Sequence, residues 1–390
     1  MAGYTNTNNS FDTLVVGGGP AGSAAATLLA TRGRNVALID RACFPRPKLC
    51  GGLLTWKTLQ ALRAALGLTI EDLYKNGCLL GSSSAYALYL REKALSTGRT
   101  QDPFYFVDRT LFDHLLLEQA VRSGVSVFQG VAAAECNPAE GWLATVDGRR
   151  FEANFIIGAD GANSRVRRFV AGTPKQRARW RGNLADSMEI RVPRTSVPAP
   201  LNALDHPQLH VGFIRCGYGW VFPNPETLVV GMCGLRERTS LQKHFANYLR
   251  FLGIPPEAAP WHGHPLPYGN WLSKPGKGRV LLAGDAAGLV EPTLGEGLFY
   301  ALASGRYAAL SVLDGANAPD QALAAYAARL KRNLLPELRG SARLRWAMLL
   351  SIRLFGYGPI KAFMHSGQTR LSELVHGKRS FFLMRKKNWD

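Results

Sequence analysis

"DTLVVGGGPAGSAAATLLATRGRNVALID", residues 12–40, sets an apolar, β-branched run directly before a glycine cluster and an alanine-rich stretch directly after it. Leu14, Val15 and Val16 read as the end of a buried parallel strand, and Gly17, Gly19 and Gly22 fall at G-x-G-x-x-G spacing. In that pattern the first glycine permits a tight turn, the second lets backbone approach a pyrophosphate, and the third lets the following helix pack on the sheet. The spacing predicts a helix over 21–31, with its N-terminal partial charge facing phosphate and with Pro20 and Ala21 among the cofactor-binding residues. "RNVALID" supplies a second strand ending on Asp40, beside Arg41, where an acid about 20 residues past the glycines binds a ribose hydroxyl. Together these features predict a dinucleotide site; the alternative is a glycine-rich turn with no ligand.

The 390 residues, 46% hydrophobic, suffice for a sizeable core and more than one lobe, which excludes a disordered chain. Cys43, Cys50, Cys78, Cys136, Cys216 and Cys233 are scattered without a C-x-x-C pair or ligand-like spacing to histidine. That pattern argues against zinc or an iron–sulfur cluster, so no metal is expected, and it fits a reducing, cytoplasmic setting. The first ten residues are unlike a signal peptide, and no apolar run approaches the ~20 residues of a membrane-spanning helix. A soluble or surface-bound protein is expected.

The net charge is +19, and residues 329–390 hold fourteen Lys/Arg against three acids. A second cluster, residues 165–181, has seven basic residues and no acid. A solvated surface, an anionic membrane and an acidic substrate all suit such charge; nucleic acid ranks last because no recognition motif is present.

Two later stretches separate NAD from FAD. "FIIGADGANSRVRR" (155–168) is an apolar strand ending in Gly158, Ala159, Asp160 and Gly161. "GRVLLAGDAAGLVEPTLGEGLFYALASG" (278–305) is a strand ending in Gly284 and Asp285, followed by Pro292 and by Gly295, Glu296 and Gly297 opening a helix. The set resembles the FAD-dependent oxidoreductases of the p-hydroxybenzoate hydroxylase fold, whose FAD domain is assembled from separated segments. The resemblance implies Asp285 near the ribityl chain and pyrophosphate, and Gly295–Gly297 amides facing the flavin's pyrimidine side, where a helix N-terminus stabilises negative charge. It also implies a cofactor role for Arg109 in "VDRTLFDHLLLEQA"; a plain surface arginine is the alternative.

"RPKLCGG" (46–52) and "GYGWVFP" (217–223) further resemble the geranylgeranyl reductase family, which saturates isolated double bonds of polyprenyl chains. The family pattern P-x-x-Y-x-W-x-F-P maps onto Tyr218, Trp220, Phe222 and Pro223, with Arg215 in place of the first proline. Three aromatics alternating along a strand project to one face and suit an apolar chain, or pack an ordinary sheet. The resemblance places Cys50, Gly51 and Gly52 at the isoalloxazine ring. Cys50 is then a proton donor, a pocket-shaping residue, or simply a small buried apolar one.

The expected fold is α/β: a Rossmann-like FAD-binding domain (1–80, 101–181 and 273–330), an inserted, mostly antiparallel substrate sheet (81–100 and 182–272), and a basic helical region (331–390). Helix is expected over 108–124, a strand over 125–131, and an amphipathic helix presenting Leu344, Met348, Ile352 and Phe355, ended by Gly356, Gly358 and Pro359. That helix either lies on an anionic membrane or packs in the core. One glycine fingerprint leaves the electron donor open between NADPH, a ferredoxin and a quinol. The partners expected are a polyprenyl lipid or isoprenyl diphosphate, a redox protein, and peripheral membrane. Two other readings stand: an aromatic monooxygenase or halogenase of this fold, although Gly288, Leu298 and Phe299 depart from the hydroxylase pattern, and a membrane-surface flavin electron carrier.

Overall fold

The computed structural model describes residues 10–315, 318–358, 368–382, 384–387 and 389. The chain begins with β1 (Ser10–Val16), α1 (Pro20–Ala30) and β2 (Val36–Asp40), the unit read from the glycine fingerprint. Then come β3 (Leu53–Leu54), α2 (Trp56–Leu66), α3 (Ile70–Lys75), a long hairpin of β4 (Leu79–Leu90) and β5 (Lys93–Val107), and α4 (Arg109–Arg122). After β6 (Ser126–Gln129), β7 (Ala133–Asn137), β8 (Trp142–Thr145) and β9 (Arg150–Gly158) follow α5 (Arg167–Val170) and α6 (Pro174–Gly182). The middle section holds β10 (Ala185–Pro193), β11 (Gln208–Val211), β12 (Gly217–Pro223), β13 (Thr227–Leu235), α7 (Leu241–Phe251) and β14 (His262–Leu266). The rest is β15 (Gly276–Lys277), β16 (Val280–Leu282), α8 (Leu298–Gly315), α9 (Pro319–Asn333), α10 (Leu335–Phe355) and α11 (Gln368–His376).

The first sheet runs β15-β16-β9-β1-β2-β6, with the β7–β8 pair attached to β9. From β16 to β6 its pairs are parallel. Leu14, Val15 and Val36 to Ile39 are almost fully buried, as expected of parallel strands covered on both faces. α1 and α8 pack on this sheet, and Pro20 at the first helical position costs α1 no hydrogen bond. α4 starts where Asp108 accepts hydrogen bonds from the amides of Thr110 and Leu111.

The second sheet runs β14-β10-β13-β12-β11-β4-β5-β3 and is antiparallel except for β11–β4. It takes more of the chain than the sequence division assigns to it. β4 and β5 stay paired from Leu90↔Lys93 to Leu79↔Val107, with register shifts at three points. Bulges absorb the bend without breaking the ladder, so the boundary at 100/101 falls inside one continuous strand. Leu53 and Leu54, placed by sequence in the first domain, pair with Phe106 and Tyr105 at this sheet's edge.

The basic C-terminal region folds back on the molecule. α10 ends at Phe355 with Gly356 in a positive-φ cap, as expected; Pro359 lies outside the described residues. Glu337, buried in α10, accepts hydrogen bonds from Ser380 Oγ, the Phe381 amide and Lys387 Nζ, which ties part of the tail down. No described helix is long and apolar enough to cross a membrane.

α1 and α8 approach at backbone distance. A Cβ on Gly305 of α8 would sit 2.1 Å from the Ala21 carbonyl oxygen of α1. Gly305→Val should therefore force the helices apart and cost about 1–3 kcal/mol, read as a lower urea midpoint at unchanged m-value.

Candidate functional site

One cavity of about 1440 Å³ lies between the two sheets and extends beneath α10 and α11. At one end it opens on the β1–α1 turn. Gly17, in a positive-φ conformation, has the Ala159 carbonyl oxygen 2.5 Å from where a Cβ would be, and Gly22 has the Gly17 carbonyl oxygen at 1.8 Å. Both glycines are demanded by packing of the protein on itself. Gly19 differs: a Cβ there would meet only Arg46 Nη2, at 3.6 Å. The space above it is cavity, at the N-terminus of α1, with Pro20 and Ala21 also lining it.

Asp40 and Arg41 line the same end. The Asp40 carboxylate accepts from the Gly18 amide at 2.6 Å and the Ala42 amide at 2.8 Å, so it braces the turn while keeping lone pairs for a further donor. Asp160, after β9, accepts from the Arg165 and Val166 amides through Oδ2, while its buried Oδ1 has no protein partner. Burial raises its pKa. Arg109 is 5% exposed and makes a two-point bond to the buried Asp113 at 2.9 and 3.0 Å. It is a cavity residue, and the surface alternative is excluded; Arg46 joins the same carboxylate at 3.3 Å.

On the opposite wall, Asp285 lines the cavity and Gly284 lies just behind it, its amide bonded to Ser304 Oγ. Burial raises the Asp285 pKa, with Lys48 and Arg109 opposing. Gly295, Glu296 and Gly297 line the cavity immediately before α8. The Glu296 carboxylate points into structure: it bonds Thr55 and Thr58 hydroxyls and pairs with Lys57 at 2.5 Å. Pro292 does not line the cavity; its carbonyl oxygen accepts from Arg345, so it shapes the loop from behind.

At the other end Tyr218, Trp220 and Phe222 of β12 form one wall, with ring centroids 6.0 and 6.3 Å apart. The Tyr218 hydroxyl donates to the Leu294 carbonyl, joining this wall to the loop before α8. Gly51 lies flush against it: a Cβ would be 2.5 Å from Phe222 Cε2. Gly52 sits at positive φ with the Val107 carbonyl oxygen 2.3 Å from a Cβ position. Cys50 lines the cavity and its sulfur accepts from the Gly52 amide at 3.5 Å. Beyond the aromatics come Leu344, Met348 and Ile352 of α10, so the expected helix face looks inward at the cavity. Phe355, grouped with them by spacing, is 71% exposed, because the last turn of α10 runs past the cavity.

Sequence reasoning missed three groups here. Lys48 lines the cavity; burial lowers its pKa, Asp285 opposing and Arg109 adding to the effect. Glu189 of β10 is 5% exposed, and burial pushes its pKa up to about 7 against Arg191 and the Cys50 amide. Its Oε2 and Trp220 Nε1 are buried without a protein partner. His264 of β14 is held neutral by burial and nearby cations, with its pKa lowered to about 3. Lys48 carried a signal, since it stands inside "RPKLCGG"; the other two sit on strands whose alternation alone does not mark them.

These residues fit a dinucleotide: glycine backbone open to the cavity at Gly19, a helix N-terminus beside it, and Arg41, Arg46, Lys48, Arg109, Arg165 and Arg168 supplying positive charge for a diphosphate. Residues 10–207 match the family of FAD binding domains. The chain is 32% identical over 314 residues to a geranylgeranyl diphosphate reductase from Rhodobacter capsulatus, covering 77% of this chain and 74% of that one. It is 30% identical over 329 residues to a menaquinone reductase from Mycolicibacterium smegmatis, covering 79% and 78%. Among solved structures, a geranylgeranyl bacteriochlorophyll reductase-like protein from Thermoplasma acidophilum superposes with a TM-score of 0.74 at 20% identity, covering 88% of each chain. A flavin-dependent brominase does so at 0.69 and 18%, covering 97% of this chain and 96% of that one.

Gly19→Val should separate ligand from fold. The position has φ −75° and open space above it. Stability of the FAD-free protein should stay within about 0.5 kcal/mol of wild type, while FAD affinity, measured by fluorescence titration, falls at least about tenfold.

Proposed function

Because the chain belongs to the geranylgeranyl reductase family of FAD-dependent oxidoreductases, we propose that it saturates carbon–carbon double bonds of a polyprenyl chain. The observation that carries this reading is the continuity of the cavity. The glycine-lined dinucleotide end, the Cys50–Gly52 loop, the aromatic wall and the apolar side chains of α10 share one space. FAD, once reduced, supplies hydride at its N5 atom.

The remaining work falls to the chain's own residues. Gly17, Gly19, Pro20, Ala21 and Gly22 build the cradle for the pyrophosphate, with Asp40 and Arg41 at the ribose end. Arg109, held in place by Asp113, Asp160, Gly284 and Asp285 border the middle of the cofactor site. The Gly295–Gly297 backbone before α8 would hold the flavin's pyrimidine side, with Pro292 and Glu296 tying that loop to α10 and α2. Tyr218, Trp220 and Phe222 hold the prenyl chain by apolar contact, and Gly51 and Gly52 let the chain and ring come close. Excluding water from this end keeps the polyprenyl carbons in a dry environment.

A polyprenyl lipid or isoprenyl diphosphate is the substrate class, with NADPH or a ferredoxin as electron donor. The exposed basic residues of α6 suit an acidic redox protein. Trp346, Leu350 and Leu354, 56–61% exposed on the outer side of α10 among arginines, suit peripheral contact with an anionic membrane. The monooxygenase and halogenase readings share the fold but leave the C-G-G loop against the aromatic wall without a use.

The test is anaerobic. Reduced, FAD-loaded protein is mixed with geranylgeranyl diphosphate or a geranylgeranyl lipid, and the product is weighed by mass spectrometry. A gain of two hydrogens per bond is expected; oxygen or halogen on an aromatic compound in air, with no such gain, overturns the reading. Phe222→Ala should raise KM for the prenyl substrate roughly tenfold, the loss of about 1.5 kcal/mol of apolar contact, with FAD content unchanged.

A further inference from the structure

Four strands place their cavity-facing residues in rows. Antiparallel partners point to the same side of a sheet. Trp220 of β12 pairs with Gly231 of β13, Gly231 with Glu189 of β10, and Glu189 with His262 of β14. The next row holds Tyr218, Cys233, Ser187 and His264. In the first row Gly231 has no side chain to spare: a Cβ there would lie 2.1 Å from Trp220 Cζ2. The indole therefore lies across β13 in the direction of Glu189.

We propose that Glu189 is the acid that protonates the substrate carbon, an inference that rests on the reductase reading. It lines the cavity beside the Cys50–Gly52 loop, on the row that carries Trp220. The Cys50 backbone amide favours its ionised form, against burial. Oε2 is buried with no protein partner, so no protein group competes for a proton there, and the residue itself lines the cavity. The Cys50 sulfur is engaged as an acceptor from the Gly52 amide and so is the poorer candidate. The groups around Glu189 are Arg191 on its own strand, Lys48 from the C-G-G loop, Arg109 from α4, and His262 and His264 from β14.

A hydride from the reduced cofactor, with its electron pair, forms the C–H bond at one alkene carbon as the π bond breaks. The Glu189 O–H bond breaks and its proton forms the second C–H bond. The carboxylate left behind takes a proton back from solvent, on the side where exposed His262 lines the cavity mouth. Activity should be present while the carboxyl is protonated and fall as pH rises through about 7.

The experiment compares wild type, Glu189→Gln and Glu189→Asp as FAD-bound proteins. In the oxidised proteins, infrared difference spectra between pH 5 and 9 read the carbonyl stretch of a protonated carboxyl. The wild type should show a band titrating near 7 that Glu189→Gln lacks. In anaerobic stopped flow, oxidation of the pre-reduced flavin by a geranylgeranyl lipid should slow roughly 10²- to 10⁴-fold in Glu189→Gln, with FAD content kept and the limb near pH 7 gone. Glu189→Asp should recover part of the rate with the limb restored. Wild-type rate and pH limb in Glu189→Gln, or no titrating band in wild type, overturns the proposal alone. Should wild type itself yield no saturated product while the band persists, the reductase reading falls and the acid's role with it.

Discussion

Backbone packed on backbone at the first turn sets the geometry from which the cavity is built. The Gly17 carbonyl occupies the place where Gly22 would carry a side chain, the Ala159 carbonyl does the same at Gly17, and the Ala21 carbonyl does so at Gly305. Three segments far apart in sequence, at 17–22, 159 and 305, thus meet without intervening side chains. Their approach brings the N-terminus of α1, the end of β9 and the body of α8 around one end of the cavity. Because α8 is placed by this contact, the Gly295–Gly297 loop before it is placed too, and the ties from Glu296 to Lys57, Thr55 and Thr58 then fix α2 against it.

Parts of this were legible in the sequence because they obey local rules. β-branched runs bounded by glycine read as buried parallel strands, and the segments after Pro20 and from Asp108 read as helices from their own composition. The aromatic alternation of β12 was legible for the same reason, since period two needs no partner to be seen. The division between sheets was not, because it depends on how bulges let β4 and β5 stay paired across a bend, and a bulge leaves little mark in a pattern of half-buried residues. Arg109 shows the limit at a single residue. Its burial comes from Asp113 one helical turn on, a pair that sequence spacing permits on any exposed helix and that only the covering cavity wall makes internal.

The C-terminal charge had two readings, and the structure divides the segment between uses. Lys387 pairs with the buried Glu337, and Arg345 packs over Tyr268 while bonding the Pro292 carbonyl. Those cations hold α10 and the tail against the body. With the helix so fixed, Leu344, Met348 and Ile352 close the cavity while Trp346, Leu350 and Leu354 look outward. A helix apolar on both sides is explained when one side meets a ligand space and the other an external surface.

The same cavity asks two opposite things of its titratable groups, and the fold meets both by placement. At the dinucleotide end cations gather, Asp113 pairing with Arg46 and Arg109 while Asp285 and Lys48 act on each other electrostatically. Burial dominates at both ends: among the cations it raises Asp285 and lowers Lys48. Toward the aromatic wall it pushes Glu189 up to about 7 even with Arg191, Arg109 and Lys48 pulling the other way, while burial and nearby cations drive His264 down to about 3. An acid that holds its proton and an imidazole that refuses one, on paired strands, is what an apolar environment beside a cationic one produces. The glycine at 231 completes the arrangement, because any side chain there would stand between the Trp220 indole and Glu189 on their shared row.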